Sequence, residues 1–181
     1  MAGIQGLTIR DAAQADASAM GHLHVRAWQS AYRGVMPDEY LDGLQAEDRI
    51  AMWQGRISRA DLPPLLVAVV ADEVVGFAVF GEARQSTVSV PCGELYAMNL
   101  DPAHWGKGIG RVLLHRVTEA LIALGYKEAL LWVVPENVRA RALYESDGWV
   151  ADGGVATEEI LGVTVTDIRY RKPLVVTHPG A

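Results

Sequence analysis

Cysteine is nearly absent from this chain, in which Cys92 is the single example. One thiol forms no disulfide within the chain, and this usage is typical of a reducing cytoplasm. The sequence opens with no basic-then-apolar leader, and apolar runs such as residues 65–71 are far shorter than the roughly 20 residues of a membrane helix. We therefore expect a cytoplasmic protein that does not bind membranes.

An excess of positive charge is also lacking. The chain has 16 Lys and Arg against 22 Asp and Glu, a net charge of −6, which argues against nucleic acid as a partner and suits a cationic acceptor such as an amine. The five histidines are scattered without ligand partners, so no metal site is predicted. With 181 residues, half of them hydrophobic, residues 1–181 are predicted to form a single domain with a loose tail from about residue 177.

Two common phosphate-binding motifs are missing. The chain has no G-x-x-x-x-G-K-[ST] run, and a G-x-G-x-x-G motif starting at Gly106 would need glycine where Arg111 stands. Alternating glycines are nevertheless present at a strand-to-helix junction, where the backbone can turn tightly and the helix N-terminus attracts anions. The sequence therefore predicts an anion site, with a ligand-free turn and helix cap as the alternative. Its residues are Gly106, Lys107, Gly108, Ile109, Gly110 and Arg111.

A second motif lies downstream, where residues 137–149 read N-V-R-A-R-A-L-Y-E-S-D-G-W. With the glycine segment, it resembles the GNAT superfamily of N-acetyltransferases. The family pattern [QR]-x-x-G-x-[GA] is met by Gly108 and Gly110, while Trp105 stands in place of its leading Gln or Arg. The second segment is similar to the family's N-x-x-A-x-x-x-Y-x-x-x-G-[FW] helix. The resemblance is dense over residues 94–149, and residues 26–34 resemble the opening helix of many bacterial members.

Hydrophobic periodicity and turn signals predict a mixed α/β protein. Strands are expected at residues 7–10, 65–70, 74–80, 93–100, 128–134, 149–152 and 163–171, and helices at residues 16–31, 37–44, 48–59, 108–124 and 137–146. This order favours a mostly antiparallel central sheet of about seven strands with helices on both faces. The resemblance implies the same GNAT fold, with the fourth and fifth strands splayed apart to admit the cofactor.

The resemblance also implies acetyl-CoA as co-substrate, with no metal. The backbone groups of Met98 and Leu100 would pair with the pantetheine amides as though the cofactor were an extra strand. Asn137 would contact the pantetheine arm, although a helix N-cap is the commonest use of Asn at such a position. Both roles are compatible.

Acetyl transfer to an amine requires that the amine lose a proton and that the departing thiolate gain one. Glu94 is the candidate base, at a position that resembles the catalytic glutamate of some family members; the alternative is a salt-bridged glutamate. Period-two geometry places it on one strand face with Tyr96, Met98 and Leu100. Tyr144 is the candidate acid, since the family's tyrosine protonates the thiolate; the alternative is a packed core aromatic.

We thus predict an N-acetyltransferase that acts on a primary amine of a small molecule or peptide. Because no histidine lies near Cys92 in sequence, direct attack in a ternary complex is favoured over a covalent intermediate. A non-catalytic acyl-CoA-binding module is the alternative. The acceptor is not identified, because residues 28–40 and 155–164 read as polar or mixed connections. Trp28, Tyr32 and Arg84 either line the acceptor cleft or serve the core and surface, and the resemblance leaves a homodimer open.

Overall fold

A computed structural model describes residues 4–84 and 90–174. The described strands form one sheet in the order β1-β2-β3-β4-β5-β7-β6, in which β4 and β5 are parallel and all other neighbours are antiparallel. They are β1 (Leu7–Asp11), β2 (Leu65–Val70), β3 (Glu73–Glu82), β4 (Cys92–Leu100), β5 (Glu128–Val133), β6 (Val150–Ile160) and β7 (Val163–Pro173). This confirms the predicted seven-stranded, mostly antiparallel sheet. The tail predicted from about residue 177 lies outside the described residues.

Helices cover both faces of the sheet, also as predicted. They are α1 (Ala17–Ala31), α2 (Asp38–Asp42), α3 (Ala46–Ile57), α4 (Ile109–Ala123) and α5 (Val138–Ser146). The predicted helix ends lie within two residues of these bounds. None of the helices in the described ranges is long and apolar enough to cross a membrane.

Three helices, α1, α3 and α4, bury apolar side chains against the sheet. Leu113, Val117 and Leu121 are spaced four residues apart on α4, and all three are fully buried in a core shared with α5. On the opposite face, α1 and α3 enclose a second core that includes Met20 and Trp53. The sheet is thus the middle of three layers, and β4 lies between the two cores.

The sixth strand ends later than the sequence predicted. We expected that strand to stop at residue 152 and residues 155–164 to be a connection, whereas β6 continues to Ile160 and forms a hairpin with β7. The hairpin turns at Leu161 and Gly162, both with positive φ. Since β6 is an edge strand exposed along most of its length, its sequence carries no alternation of apolar and polar residues.

The parallel pair β4 and β5 separates part-way along its length. Residues 92–95 pair with residues 128–131, and beyond Leu95 the register between the two strands ends. Residues 96–100 of β4 therefore continue without β5 beside them. This is the splay that the family resemblance implies.

Candidate active site

A cavity of about 1060 Å³ opens where β4 and β5 diverge. Its walls come from the end of β4, the glycine segment, the first turns of α4 and α5 and the end of α1. The structure brings all the predicted site residues except Glu94 to this cavity. They are Met98, Leu100, Gly106, Lys107, Gly108, Ile109, Gly110, Arg111, Asn137 and Tyr144.

A β-bulge at Tyr96 explains why Glu94 is separated from the others. Val79 pairs with Ala97 but Phe80 pairs with Leu95, so β4 holds one extra residue at this point. The extra residue breaks the period-two alternation, and the expectation that Glu94, Tyr96, Met98 and Leu100 share a face is wrong. Met98 and Leu100 pack against the α4 core, whereas Tyr96 packs against the core under α1 and α3.

The backbone of β4 presents hydrogen-bonding groups to the cavity. The N–H of Asp101 donates to the carbonyl of Val75 on β3, at 2.9 Å. Because peptide groups alternate in direction along a strand, those of Met98 and Leu100 point away from β3, toward the gap left by β5. This open strand edge suits an extended ligand that carries amide groups.

The N-terminus of α4 forms another wall. Gly108 is its N-cap with φ +81°, and the preceding Gly106 has φ +74°, conformations that favour glycine. No side chain caps this end, and no acidic residue lies in the first turn. Its free N–H groups, with Lys107 and Arg111 beside them, fit a phosphate or pyrophosphate.

Two tyrosines, one buried and one partly buried, face the same cavity. Tyr144 on α5 is 7% exposed, and burial raises the pKa of its phenol well above the usual value. Tyr32, at the end of α1, has its pKa raised to about 12, first by burial and then by the negative charge of Asp167. Both phenols therefore hold their protons at neutral pH. The sequence offered Tyr32 only as an unassigned candidate, since nothing local shows that α1 ends at the cavity.

Asn137 caps α5. Its side-chain oxygen accepts the N–H of Ala140 at 3.1 Å, which establishes the N-cap role, and the residue also lines the cavity. Gly110 allows α4 to approach α5 closely, because a Cβ there would come within 3.2 Å of Leu143. The close approach of Gly110 to Leu143 places α5, and with it Tyr144, beside the glycine segment.

Glu94 lies outside the cavity and is paired. Its carboxylate is 2% exposed, accepts hydrogen bonds from the Arg84 side chain and accepts the Arg84 backbone N–H at 3.0 Å. The Arg84 guanidinium also lies 4.8 Å from the centroid of the Tyr96 ring. Trp28 is likewise away from the cavity, packed against Tyr32 and Tyr40 in a small cluster under α2.

A family model described as the acetyltransferase (GNAT) family matches residues 20–149. The chain belongs to this family. YuaI of Bacillus subtilis, described as an uncharacterized N-acetyltransferase, is 31% identical to this GNAT acetyltransferase over 134 residues, which cover 72% of this chain and 73% of YuaI.

Solved structures share the fold. PaiA N-acetyltransferase of Thermoplasma acidophilum, crystallised with coenzyme A, has a TM-score of 0.72 and 21% identity and matches 92% of this chain and 98% of its own. YncA of Salmonella typhimurium, crystallised with acetyl-CoA, has a TM-score of 0.70 and 23% identity over 98% of this chain and 99% of its own.

Family membership makes this GNAT acetyltransferase an enzyme that transfers an acetyl group from acetyl-CoA. The residues present fit that co-substrate, since an open strand edge and a cationic, uncapped helix N-terminus line one cavity. Within residues 4–84 and 90–174, no three metal-ligating side chains come together.

Proposed function

We propose that this GNAT acetyltransferase acetylates a primary amine of a small molecule or peptide by direct attack within a ternary complex. The observation that carries the proposal is the placement of the buried Tyr144 phenol in a cavity bounded by the open edge of β4 and the N-terminus of α4. A cytoplasmic location and a homodimer stay predictions.

Two walls of the cavity bind two different parts of acetyl-CoA in this proposal. The peptide groups of Met98 and the N–H of Leu100, whose carbonyl already accepts the Trp105 indole N–H, pair with the pantetheine amides, which fixes the arm in an extended conformation. The N–H groups at the start of α4, with Lys107 and Arg111, hold the pyrophosphate. Asn137 contributes by setting the position of α5 and by facing the same arm.

The transfer step then follows from the placement of Tyr144. The neutral amine attacks the thioester carbonyl carbon, a C–N bond forms, and the C–S bond breaks. The sulfur takes the phenolic proton of Tyr144, and the amine proton leaves through water and restores the phenol. Burial raises the pKa of Tyr144, so the phenol is protonated at neutral pH and donates a hydrogen bond to the developing thiolate. The same shift makes the phenol a weaker acid, so complete transfer requires that burial raise the proton affinity of the sulfur as well. A β4 backbone N–H stabilises the developing oxyanion.

Glu94 has no direct part in this proposal as a base. Its carboxylate is buried against Arg84 and lies outside the cavity, so contact with an amine there requires that the ion pair open or that water carry the proton.

The acceptor side of the cavity is proposed to lie between the end of α1 and the β6–β7 hairpin. Tyr32 lines the cavity, and the negative charge of Asp167 on β7 contributes to the raised pKa of its phenol. Burial raises the pKa of Asp167, and the nearby Glu158 adds to the rise. Both causes disfavour the charged form of Asp167, and a cationic amine bound near the two carboxylates would offset the repulsion between them.

Thermal unfolding with and without acetyl-CoA tests the proposal first, with NAD and ATP as controls. Binding at about a hundred times the dissociation constant stabilises the protein by roughly 2.7 kcal/mol. For a chain of this size, that raises the melting temperature by about 5 to 10 °C. A shift with acetyl-CoA alone leads to a panel of amines. A shift with another phosphate ligand only would contradict the proposal, and binding without turnover on the whole panel would favour a non-catalytic module.

A further inference from the structure

Trp105 occupies the position at which the GNAT motif has Gln or Arg, and the structure gives this tryptophan a cationic partner. The guanidinium carbon of Arg139 lies 4.2 Å from the centroid of the Trp105 ring, within the range of a cation–π contact. Both residues line the cavity. A positive charge is thus present beside position 105, supplied by the first turn of α5.

Two hydrogen bonds fix the position of Trp105. Its indole N–H donates to the carbonyl of Leu100 at 3.1 Å, and its backbone N–H donates to Pro102 at 3.2 Å. Trp105 follows β4 and Arg139 lies in the first turn of α5, which follows β5. The contact between Trp105 and Arg139 therefore bridges the opening between β4 and β5.

Arg139 is not neutralised by its surroundings. Among the described residues, no carboxylate lies within ion-pair distance of Arg139, Lys107 or Arg111, although all three line the cavity of an acidic protein. Arg141, two residues further along α5, instead contacts Glu145, Tyr170 and the carbonyl of Pro135. A guanidinium whose carbon lies over an aromatic ring still has five N–H donors, which can bind an anion.

We propose that Arg139, positioned by Trp105, binds a phosphate group of coenzyme A and replaces the side-chain contact that the motif's leading Gln or Arg makes. The proposal rests on the proposed function, which puts acetyl-CoA in this cavity. The pyrophosphate and the 3′-phosphate offer the same chemistry, an anionic oxygen that accepts charge-assisted hydrogen bonds.

Isothermal titration calorimetry of the full chain tests this with three ligands: coenzyme A, 3′-dephospho-coenzyme A and pantetheine, which has no phosphate. Arg139→Gln is expected to weaken coenzyme A binding by about tenfold or more, the loss expected for one charge-assisted contact. Pantetheine binding should not change. If the affected group is the 3′-phosphate, the loss disappears with the dephospho ligand; if it is the pyrophosphate, the loss remains.

Variants of the partner residue test the positioning role. Trp105→Leu removes the stacking ring and should weaken coenzyme A binding by severalfold, whereas Trp105→Phe keeps a ring and should retain most of the affinity. In the Trp105→Leu background, Arg139→Gln should cost less than in the wild type, since the two residues act together. Arg59→Gln is the matched control, because it removes the same charge from an exposed arginine paired with Asp61, away from the cavity.

The outcomes separate the inference from the function on which it rests. Wild-type protein that binds no coenzyme A would overturn both. Wild-type protein that binds coenzyme A as tightly as Arg139→Gln would overturn the inference alone. An equal loss of coenzyme A and pantetheine affinity in Arg139→Gln would also overturn it, since the side chain would then act only through the structure.

Discussion

The guanidinium of Arg84 lies against the buried carboxylate of Glu94. The carboxylate accepts hydrogen bonds from both the side chain and the backbone N–H of Arg84. The arginine is 67% exposed, whereas the glutamate side chain is 2% exposed. A charge this deep in β4 is tolerated because its oxygens accept hydrogen bonds and face an opposite charge. The pair thus gives Glu94 a structural role that does not require a reacting amine.

The Arg84–Glu94 pair predicts that two variants lose different amounts of unfolding free energy. Arg84→Gln should lose about 1–3 kcal/mol of unfolding free energy, because it leaves a buried carboxylate without its cation. Glu94→Gln should lose less, since its one oxygen can still accept the guanidinium N–H groups and no buried charge is left unpaired, although its NH2 group then faces the Arg84 backbone N–H. Urea unfolding measures both, and turnover measured beside it decides the base role. A Glu94→Gln protein with unchanged stability and lost turnover would restore Glu94 as the catalytic base.

Removing the phenol of Tyr144 should affect chemistry more than binding. Tyr144→Phe keeps the ring that packs against Trp149 and Tyr170 but removes the proton donor, so kcat should fall by about 10²-fold. The dissociation constant for acetyl-CoA should change little. Steady-state kinetics and calorimetry measure the two quantities. Tyr126→Phe is the control, since that tyrosine lies outside the cavity lining, and equal kcat values in the two variants would remove Tyr144 from the mechanism.

Two glycines at opposite ends of α4 allow the cost of backbone strain to be measured apart from an effect on ligand binding. Gly108 has φ +81° at the cavity, and Gly125 has φ +91° after the last turn of the helix. Alanine at either position should cost about 1–2 kcal/mol of stability, because a Cβ disfavours positive φ. Only Gly108→Ala should also weaken coenzyme A binding, since relaxation of its φ moves the N–H groups of the first turn. Equal coenzyme A affinity in the two variants would argue against a phosphate site at this end of α4.

Because His24 is buried, we expect the unfolding free energy to fall in mild acid. His24 is buried among Trp28, Trp53 and Phe77, and burial, with a smaller effect of the Arg49 charge, lowers its pKa to about 4. Folded His24 therefore holds its proton less tightly than the unfolded chain does, with its pKa of about 6.5. Its contribution is fully present above pH 6.5 and is lost as the pH falls toward 4, by at most about 1.4 kcal/mol per pH unit.

Urea unfolding at a series of pH values measures this effect. His24→Phe keeps an aromatic ring in the same surroundings without a titrating group, so its stability should fall less steeply between pH 6.5 and 4. His22→Gln, which changes an exposed histidine of the same helix, should follow the wild type. A parallel slope in His24→Phe and wild type would show that other groups cause the acid sensitivity.

Much of the fold follows from local sequence. The apolar spacing of α4, the glycines around it and the Asn137 cap are local signals, and helices with these signals lie within two residues of their predicted ends. The two motifs also place all but one of the predicted site residues around one cavity. Local patterns succeed here because helix capping and burial of an apolar stripe depend on neighbours within a few residues.

The sequence by itself determined the layers of this protein and its glycine turn, because those depend on periodicity and glycine conformation, while the other expected site residues came from the resemblance to the GNAT motifs. Only the tertiary structure decided which way β4 turns its side chains, since one extra residue at Tyr96 reverses the alternation and sends Glu94 to Arg84. It also decided that Tyr32 reaches the cavity and that Arg139 covers Trp105. Such contacts join residues far apart in the chain, where no local spacing records which side chains come together.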